Sequence, residues 1–466
     1  MEFGSSSPTF PPPEPYELPP SYPRELVPIE EPIVSELPTL PSPPRKSLLD
    51  QWFTASTHAI PVANPRTTPD IPLPTLPKWT ANKEEFKASV ATTTDELLSI
   101  KEKQWRGELD HLPRGRKPMW NCINRYVRNS SGLAVDNGIT LFFAHANGFP
   151  KEIWEPTLQR LVAEHERHAG YTISEIWLWE ARNHGDAALI NRDQLDGIYD
   201  WRDNTRDILH FLLHYLPASA STDVLPTHLP RLPDSEAISR LSRGLHGRQM
   251  VFVGHSFGAC STVRAAIACP VLFKSIILVD AMILPSHGTT VSTESTRNYV
   301  RGAIQRRDGW SSRDEARRQF AATPFFAVWD PAVLDIYVEC GLYDAPDGQV
   351  RLKMPGIQEA VCFTENHVPQ ETFELLATLD ERIELRWLVA GKLPPPDHEL
   401  RRKTVWRRPA NSSHLRLFSA GHLIAQEAPG DLAKEIHEFL NSRYGSRKAL
   451  LHGYGAWKSA NWNYTP

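Results

Sequence analysis

The pentapeptide Gly254–Gly258, with the sequence G-H-S-F-G, contains the residue best suited to covalent chemistry. It follows the apolar run 250–253 and precedes the small, apolar stretch 259–268, an order that predicts a strand, a tight turn and a helix. In a G-x-S-x-G turn the glycines allow close backbone packing, and the serine hydroxyl projects from the carboxyl edge of a sheet. Ser256 is therefore predicted to be a nucleophile, against the alternative of an ordinary turn before a buried helix.

A serine hydroxyl needs partners before it attacks a carbonyl at neutral pH. An imidazole must accept its proton, and a carboxylate must hold that imidazole in the correct tautomer. The chain has 18 histidines, so position rather than residue type must single one out. His422 fits because it lies in a glycine-containing loop directly after the predicted strand 415–418. We therefore predict His422 as the general base.

Alternating apolar strands and helices are predicted to position these residues. The order strand, helix, strand, helix indicates a parallel sheet with right-handed crossovers, and fully apolar strands are typical of one buried on both faces. The predicted strands cover 120–127, 139–144, 176–179, 250–253, 275–280, 383–389 and 415–418. The predicted helices include 84–105, 203–216, 259–268 and a closing helix with Leu432, Ile436, Phe439 and Leu440 on its apolar face.

Composition divides the chain unevenly. Residues 1–80 are rich in proline, which removes backbone donors and blocks helix and sheet, so they are expected to form a disordered or surface-draped arm. The segment 281–382 is too long for one crossover and is helical and aromatic in places, so it is expected to be an inserted helical lid. A surface loop is expected at 217–240. The remaining units are a lead-in helical segment (81–119), the core (120–280 and 383–445) and a C-terminal tail (446–466).

On these residues the chain resembles the α/β-hydrolase superfamily, in its lid-bearing serine hydrolase branch. The resemblance covers 120–445, with an oxyanion segment at His145–Phe149, a turn at Glu180–Asp186, the serine turn and then a histidine. The first of these segments, with Trp329-Asp330-Pro331 and the long lid, is similar to fungal serine hydrolases related to peroxisomal lipase and to host-selective toxin biosynthesis proteins. The resemblance implies an α/β-hydrolase fold with a mostly parallel central sheet, helices on both faces and an inserted helical lid.

The resemblance also implies an oxyanion hole. Backbone donors must meet the negative charge of a tetrahedral intermediate, and the N–H groups of Phe257 and Asn147 are the expected pair. Gly148 then allows the backbone to turn. His145 and His255 flank the site on strand-end turns, where structural hydrogen bonds are their expected role.

The acid of the triad is open between two carboxylates. The commonest pattern of the fold places it shortly after the strand 383–389, but there Asp397 comes only after three prolines. Asp280 ends an apolar strand, where some hydrolases of this fold and the fungal relatives carry the acid. Desolvation makes a carboxylate there hard to explain unless a partner such as His422 donates to it. We predict Asp280, with Asp397 as the alternative acid and a turn-capping role for Asp280 as the structural alternative.

Composition limits the partners and cofactors. The 466 residues have a net charge of -4 and a pI near 6.5, so neither nucleic acid nor an anionic membrane surface is expected as a main partner. The five cysteines show neither a disulfide nor a zinc spacing, and phosphate-loop and dinucleotide motifs are lacking, so no metal and no cofactor are expected. The sequence has no apolar run long enough for a transmembrane segment.

The same features bear on location. Reduced thiols and the lack of a secretion signal lead us to expect an intracellular, most simply cytoplasmic, protein. The resemblance raises a peroxisomal location, but the sequence ends Tyr464-Thr465-Pro466 instead of in a peroxisomal tripeptide.

The leading functional interpretation is a serine hydrolase that cleaves an ester or thioester of a fairly apolar acyl substrate. The nearest alternative is a biosynthetic hydrolase, or a cyclase or lyase, acting on a secondary metabolite, because the fold hosts such chemistry. An alternative of another class is a non-catalytic ligand-binding protein on a hydrolase fold. The serine at the turn disfavours epoxide hydrolase and dehalogenase chemistry, in which relatives of this fold use aspartate.

Overall fold

The computed structural model describes residues 10–445 apart from 20–21, 33, 35, 78–79, 81, 115–117, 130–137, 169 and 287–290. The predicted tail 446–466 and the first nine residues of the predicted arm lie outside the described residues. The strands are, in chain order, β1 (Phe53–Pro61), β2 (Trp120–Arg128), β3 (Ile139–Ala144), β4 (Ile173–Glu180), β5 (Gln249–His255), β6 (Ser275–Val279), β7 (Gly309–Trp310), β8 (Leu342–Asp344), β9 (Val350–Leu352), β10 (Glu384–Ala390) and β11 (Ser412–Leu417).

Eight of these strands form one sheet in the order β1-β2-β4-β3-β5-β6-β10-β11. The pairs β1 with β2 and β2 with β4 are antiparallel, and every other pair in this sheet is parallel. The predicted, mostly parallel sheet is confirmed. Because β3, β5, β6, β10 and β11 run in one direction, their carboxyl ends meet at the same edge, where the predicted site residues follow them.

Helices cover both faces of this sheet. Along β6, Ile276 and Leu278 belong to one buried apolar cluster, while Ile277 and Val279 belong to the other, as the two-residue period of a strand requires. The helices are α1 (Lys83–Trp105), α2 (Glu155–His168), α3 (Gly185–Ile190), α4 (Trp201–His214), α5 (Asp234–Arg243), α6 (Phe257–Ala268), α7 (Val291–Ile304), α8 (Arg313–Ala321), α9 (Pro324–Ala327), α10 (Pro331–Cys340), α11 (Gly356–Phe363), α12 (His367–Leu376), α13 (Pro395–Val405), α14 (Ile424–Glu427) and α15 (Pro429–Tyr444).

Parts of the proline-rich segment, which was expected to be a disordered or surface-draped arm, belong to the core. It contains β1, the edge strand of the main sheet, and its residues Phe10, Leu49 and Ile60 are buried in the core. An extended proline-rich chain leaves its carbonyls without backbone donors, and arginines of α4 and α6 supply them. Arg206 donates to the carbonyls of Val27 (2.7 Å) and Pro28 (3.0 Å). The arginine donors fix this segment to the surface of the core.

The insertion between β6 and β10 is not wholly helical. The described part of it contains six helices, α7 to α12, together with the three-stranded antiparallel sheet β7-β9-β8. The predicted surface loop 217–240 also differs, because α5 begins within it at Asp234. No helix in the described part of the chain is both long and apolar enough to cross a membrane.

Candidate active site

The serine turn is the junction of β5 and α6. Ser256 has φ 53° and ψ -114°, a conformation in which a residue with a side chain is rarely found. A Cβ on Gly254 would lie 2.5 Å from Ala259 Cα, and one on Gly258 would lie 2.5 Å from the carbonyl oxygen of Ala144. Both glycines are therefore required by close backbone approach, which confirms the strand, turn and helix predicted around the serine.

The structure brings Ser256, His422 and Asp280 into one hydrogen-bonded row. His422 Nε2 lies 3.0 Å from Ser256 Oγ, and His422 Nδ1 lies 2.5 Å from Asp280 Oδ2. Asp280 directly follows β6, and His422 lies in the loop between β11 and α14. The His422 side chain is 36% exposed, whereas Asp280 is fully buried and Ser256 is buried, so the imidazole is the most accessible part of the row.

The Asp280 carboxylate is held by four donors. Its Oδ1 accepts from Ala390 N–H and from Arg401 Nε, each at 3.1 Å, and its Oδ2 accepts from Arg401 Nη2 at 3.0 Å and from His422. Burial alone would raise the pKa of Asp280, but the Arg401 guanidinium and the His422 hydrogen bond outweigh it and hold that pKa below its ordinary value. Asp280 is therefore ionised and oriented at neutral pH.

Asp397, the alternative acid, lies elsewhere. It is exposed in the first turn of α13, and the hydrogen bond from His422 Nδ1 goes to Asp280. The structure therefore brings only one of the two candidate carboxylates to the imidazole.

The two expected oxyanion donors lie on adjacent elements. Phe257 is the first residue of α6, so its N–H has no acceptor within the helix. Asn147 follows β3, whose last carbonyl packs against Gly258 at the start of α6. The Asn147 side chain is fixed, because its Oδ1 accepts from His184 Nε2 (3.1 Å) and its Nδ2 donates to the carbonyl of Glu359 (3.2 Å).

His145 and His255 make the structural hydrogen bonds expected of them. His255 Nε2 donates to the carbonyl of His422 at 2.8 Å and thereby anchors the loop of the base. His145 Nε2 accepts from Ala181 N–H at 3.1 Å. Burial lowers the pKa of His255 to about 3 and that of His145 to about 4, so both imidazoles are neutral at pH 7.

The turn Glu180–Asp186 belongs to a buried ion network beside the site. Lys151 Nζ lies 3.2 Å from Glu180 Oε2 and 2.9 Å from Asp186 Oδ2. Lys353, from the insertion, lies 2.6 Å from Asp186 Oδ1. The network joins the loop after β3, the turn after β4 and the insertion. It therefore fixes the positions of these three segments around the oxyanion segment.

Aromatic residues of the insertion face the oxyanion segment. The Phe149 ring lies 5.5 Å from the Trp329 ring and 6.0 Å from the Tyr337 ring, centroid to centroid. A cavity between the core and the insertion is lined in part by Gly148, Phe149, Tyr337 and Met354. The insertion thus places apolar surface next to the segment that carries Asn147.

Three residues of this site were not predicted from the sequence. Arg401 and Glu359 contact predicted site residues but lie in no motif, and His184 lies within the predicted turn Glu180–Asp186 without an expected contact to Asn147. The described part of the chain contains no group of three or more His, Cys, Asp or Glu side chains that could hold a metal ion.

A family model described as "Alpha/beta hydrolase family" matches residues 141–435. The chain belongs to this family. The match begins in β3 and ends in α15, so it includes the serine turn, the insertion and the loop of His422. The expected α/β-hydrolase fold is thereby confirmed.

Curated relatives of this chain include fungal proteins. The type I acyl-CoA thioesterase mpaH of Penicillium brevicompactum is 28% identical over 227 residues, which are 48% of this chain and 44% of the relative. The peroxisomal membrane protein LPX1 of Saccharomyces cerevisiae is 25% identical over 65% of this chain and 76% of its own length. The abhydrolase domain-containing protein ACTT2-1 of Alternaria alternata is 28% identical over 24% of this chain and 43% of its own length. The match therefore spans less than half the length of the thioesterase.

Among solved structures, the peroxisomal alpha-beta-hydrolase Lpx1 of Saccharomyces cerevisiae superposes with a TM-score of 0.54 at 17% identity, over 89% of this chain and 91% of its own. This likeness supports the fold of the hydrolase. The resemblance to fungal peroxisomal and toxin-type hydrolases is also confirmed by these relatives.

Proposed function

We propose that the protein is a serine hydrolase that cleaves a thioester or ester of an apolar acyl group through an acyl-enzyme at Ser256. The observation that supports this proposal is the row Ser256–His422–Asp280, with both hydrogen bonds at 3.0 Å or less. A nucleophile, a base and an orienting carboxylate in contact are the parts that acyl transfer requires.

The proposed reaction has two halves, the acylation of Ser256 and its deacylation by water, and the same groups act in both. Ser256 Oγ attacks the acyl carbonyl carbon while His422 Nε2 takes the hydroxyl proton, and Asp280 stabilises the imidazolium. The N–H groups of Phe257 and Asn147 stabilise the oxyanion. Collapse breaks the bond to the alcohol or thiol, which takes the proton from His422. A water molecule, activated in the same way, then releases the acid and restores Ser256.

Two features support an apolar acyl group carried as a thioester. The aromatic rings of Phe149, Trp329 and Tyr337 lie next to the oxyanion segment, where they would cover an acyl chain. The mpaH relative is an acyl-CoA thioesterase by name. We propose that the insertion 281–382 serves as the lid over this chain, because it supplies Trp329, Tyr337 and the Glu359 carbonyl that holds Asn147.

Covalent labelling tests the nucleophile. A fluorophosphonate probe is expected to modify wild-type protein at one serine, and Ser256→Ala is expected to abolish both labelling and turnover without loss of folding. His422→Ala should lower kcat by about 10⁴-fold, because the serine loses its proton acceptor. Ser261→Ala, five residues beyond Ser256 in α6, is the matched control and should be labelled normally.

The same experiment separates the competing classes. A non-catalytic ligand-binding protein would neither react with the probe nor turn over any ester or thioester. Activity in Ser256→Ala within tenfold of wild type would refute the assignment of the nucleophile. A series of acyl-CoA thioesters and p-nitrophenyl esters of increasing chain length then tests the substrate class, and equal kcat/KM for acetyl and long acyl groups would contradict the apolar acyl site.

A further inference from the structure

Arg401 is a buried arginine with both ends of its guanidinium on the acid of the triad. Its Nε donates to Asp280 Oδ1 at 3.1 Å and its Nη2 donates to Oδ2 at 3.0 Å, so the contact spans both carboxylate oxygens. Its side chain is only 10% exposed. Such two-point contacts fix the plane of a carboxylate as well as its position.

The arginine comes from the element that follows β10. Asp280 follows β6, whereas Arg401 lies on α13, and the two meet because β6 and β10 are neighbours in the sheet. A second contact fastens this helix to the same place, since Thr404 Oγ1 donates to the carbonyl of Ile283 at 2.8 Å. The segment after β10, which the sequence offered as an alternative source of an acid, thus supplies a cation to the acid of β6.

We propose that Arg401 is a positioning residue of the reaction, which orients Asp280 and, through Asp280, the imidazole of His422. The proposal rests on the proposed function, because it requires that His422 accepts the proton of Ser256. Arg401 itself contacts Asp280 and none of the reacting atoms.

Arg401 acts on His422 through Asp280. Without the guanidinium, the buried carboxylate would keep two of its four donors, Ala390 N–H and His422 Nδ1. The loss of the two-point contact leaves the plane of the carboxylate less firmly fixed. The imidazole that hydrogen-bonds to this carboxylate would then be oriented less well toward Ser256, so kcat should fall while substrate binding is unchanged.

Other ionisable groups face this row. His255 of β5 lies 5.5 Å from His422, ring to ring, but its pKa of about 3 keeps it neutral throughout the assay. Glu427 of α14 accepts from Gly421 N–H next to His422. Ionisable side chains near Arg401 and Asp280 include Asp397 and His398 of α13 and Tyr299 of α7. None of these groups is changed in the variants below.

The test is the steady-state kinetics of p-nitrophenyl butyrate hydrolysis, followed at the isosbestic wavelength of p-nitrophenol. Arg401→Met should lower kcat by about 100-fold with KM within about twofold, because only positioning is lost. Arg401→Lys keeps the charge but loses the two-point contact, so its kcat should fall by only about tenfold.

The control is Arg402→Met on the same helix, which removes an equal charge whose guanidinium pairs with Glu399 at 3.0 Å. It should leave both kcat and KM unchanged. If Arg401→Met does not fold, Arg401→Gln replaces it, because its amide still donates one hydrogen bond to Asp280.

Two results would overturn the inference. One is a charge-removing variant at 401 whose kcat equals that of wild type. The other, decisive even if neither of those variants folds, is Arg401→Lys at full wild-type kcat. Failure of the proposed function is recognised separately, by wild-type protein without esterase activity or by activity that survives Ser256→Ala.

Discussion

Ser256 and Asp280 both have positive φ angles, 53° and 35°, which residues with side chains rarely adopt. Such strain persists only where the surrounding structure holds it. Here the sheet does so, because Ser256 N–H donates to the Val279 carbonyl at 3.0 Å and Asp280 N–H donates to the Leu388 carbonyl at 2.8 Å. The geometry of the candidate triad is therefore set by the pairing of β5, β6 and β10, and a small shift of these strands would move Ser256 relative to Asp280.

Substitution of single residues can test whether Asp280 or Asp397 is the acid of the triad. Asp280→Asn should lower kcat by about 10⁴-fold, because an amide neither holds the reactive tautomer of His422 nor stabilises the imidazolium. Asp397→Asn should change kcat by less than about tenfold, because its carboxylate is exposed on α13. Steady-state kinetics of the two variants, measured side by side, check the prediction.

Each variant is the control for the other, since both replace one carboxylate by its amide. Circular dichroism should show that both fold. A near-normal kcat for Asp280→Asn would show that Asp280 is not the acid of the triad and that Asp397 or another group takes this role.

At the scale of elements, the local sequence pattern was sufficient to predict most strands of the parallel sheet. The strands β3, β5 and β6 are short apolar runs followed by turn residues, and that signal does not depend on distant parts of the chain. The edge strand β1 was not predicted, because its alternating Thr, Ser and His residues lie inside a proline-rich segment. Its pairing with β2, far along the chain, stabilises it as a strand.

β1 also introduces a pH-dependent contribution to stability. His58 is buried, its Nδ1 donates to the Pro226 carbonyl at 2.8 Å, and its Nε2 accepts from Ser56 Oγ at 2.7 Å. Burial lowers the pKa of His58 from 6.5 to about 4. Below about pH 6.5 the unfolded chain therefore binds a proton that the folded chain does not, and the free energy of unfolding decreases as the pH falls toward 4.

His58→Gln removes this proton-binding site and should flatten the dependence. Between about pH 7.5 and pH 5.5, wild type should lose about 1 kcal/mol more of its free energy of unfolding than the variant does. Urea titrations at the two pH values measure the difference. His246→Gln, a substitution of a histidine outside β1, is the control and should keep the wild-type slope. Equal slopes for wild type and His58→Gln would show that His58 is protonated in the folded protein.

At the scale of the whole molecule, the contacts that the sequence did not predict are those made by tertiary packing between distant parts of the chain. Ser256 and His422 were predicted because each follows a strand, and the sheet brings strand ends together. The partners Arg401 and Glu359 reach the site through helix packing and through the fold of the insertion, which no local period records. The same holds for the proline-rich segment, whose carbonyls meet arginines that lie far along the chain.

Ion pairs and hydrogen bonds join the proline-rich segment to the core at several residues. Arg24 pairs with Glu371 at 2.5 Å and with Asp200 at 3.3 Å. Arg202 donates to the carbonyl of Glu25 at 3.1 Å, and Arg264 donates to that of Arg24. If the segment were removed, buried guanidinium groups on α4 and α6 would lose their acceptors, and leaving such donors unpaired is costly.

Two aromatic residues of this segment allow a matched test. Phe10 is 4% exposed and packs against His414 and Arg416, whereas Tyr22 is 85% exposed. Phe10→Ala should lower the free energy of unfolding by about 3 kcal/mol, because it leaves a cavity in the apolar core. In a chain of this size the thermal midpoint should then fall by about 4 °C, while Tyr22→Ala should stay within about 1 °C of wild type. Calorimetry of the full chain compares them. Equal midpoints for wild type and both variants would mean that the segment detaches before the core unfolds, and that the core is stable without it.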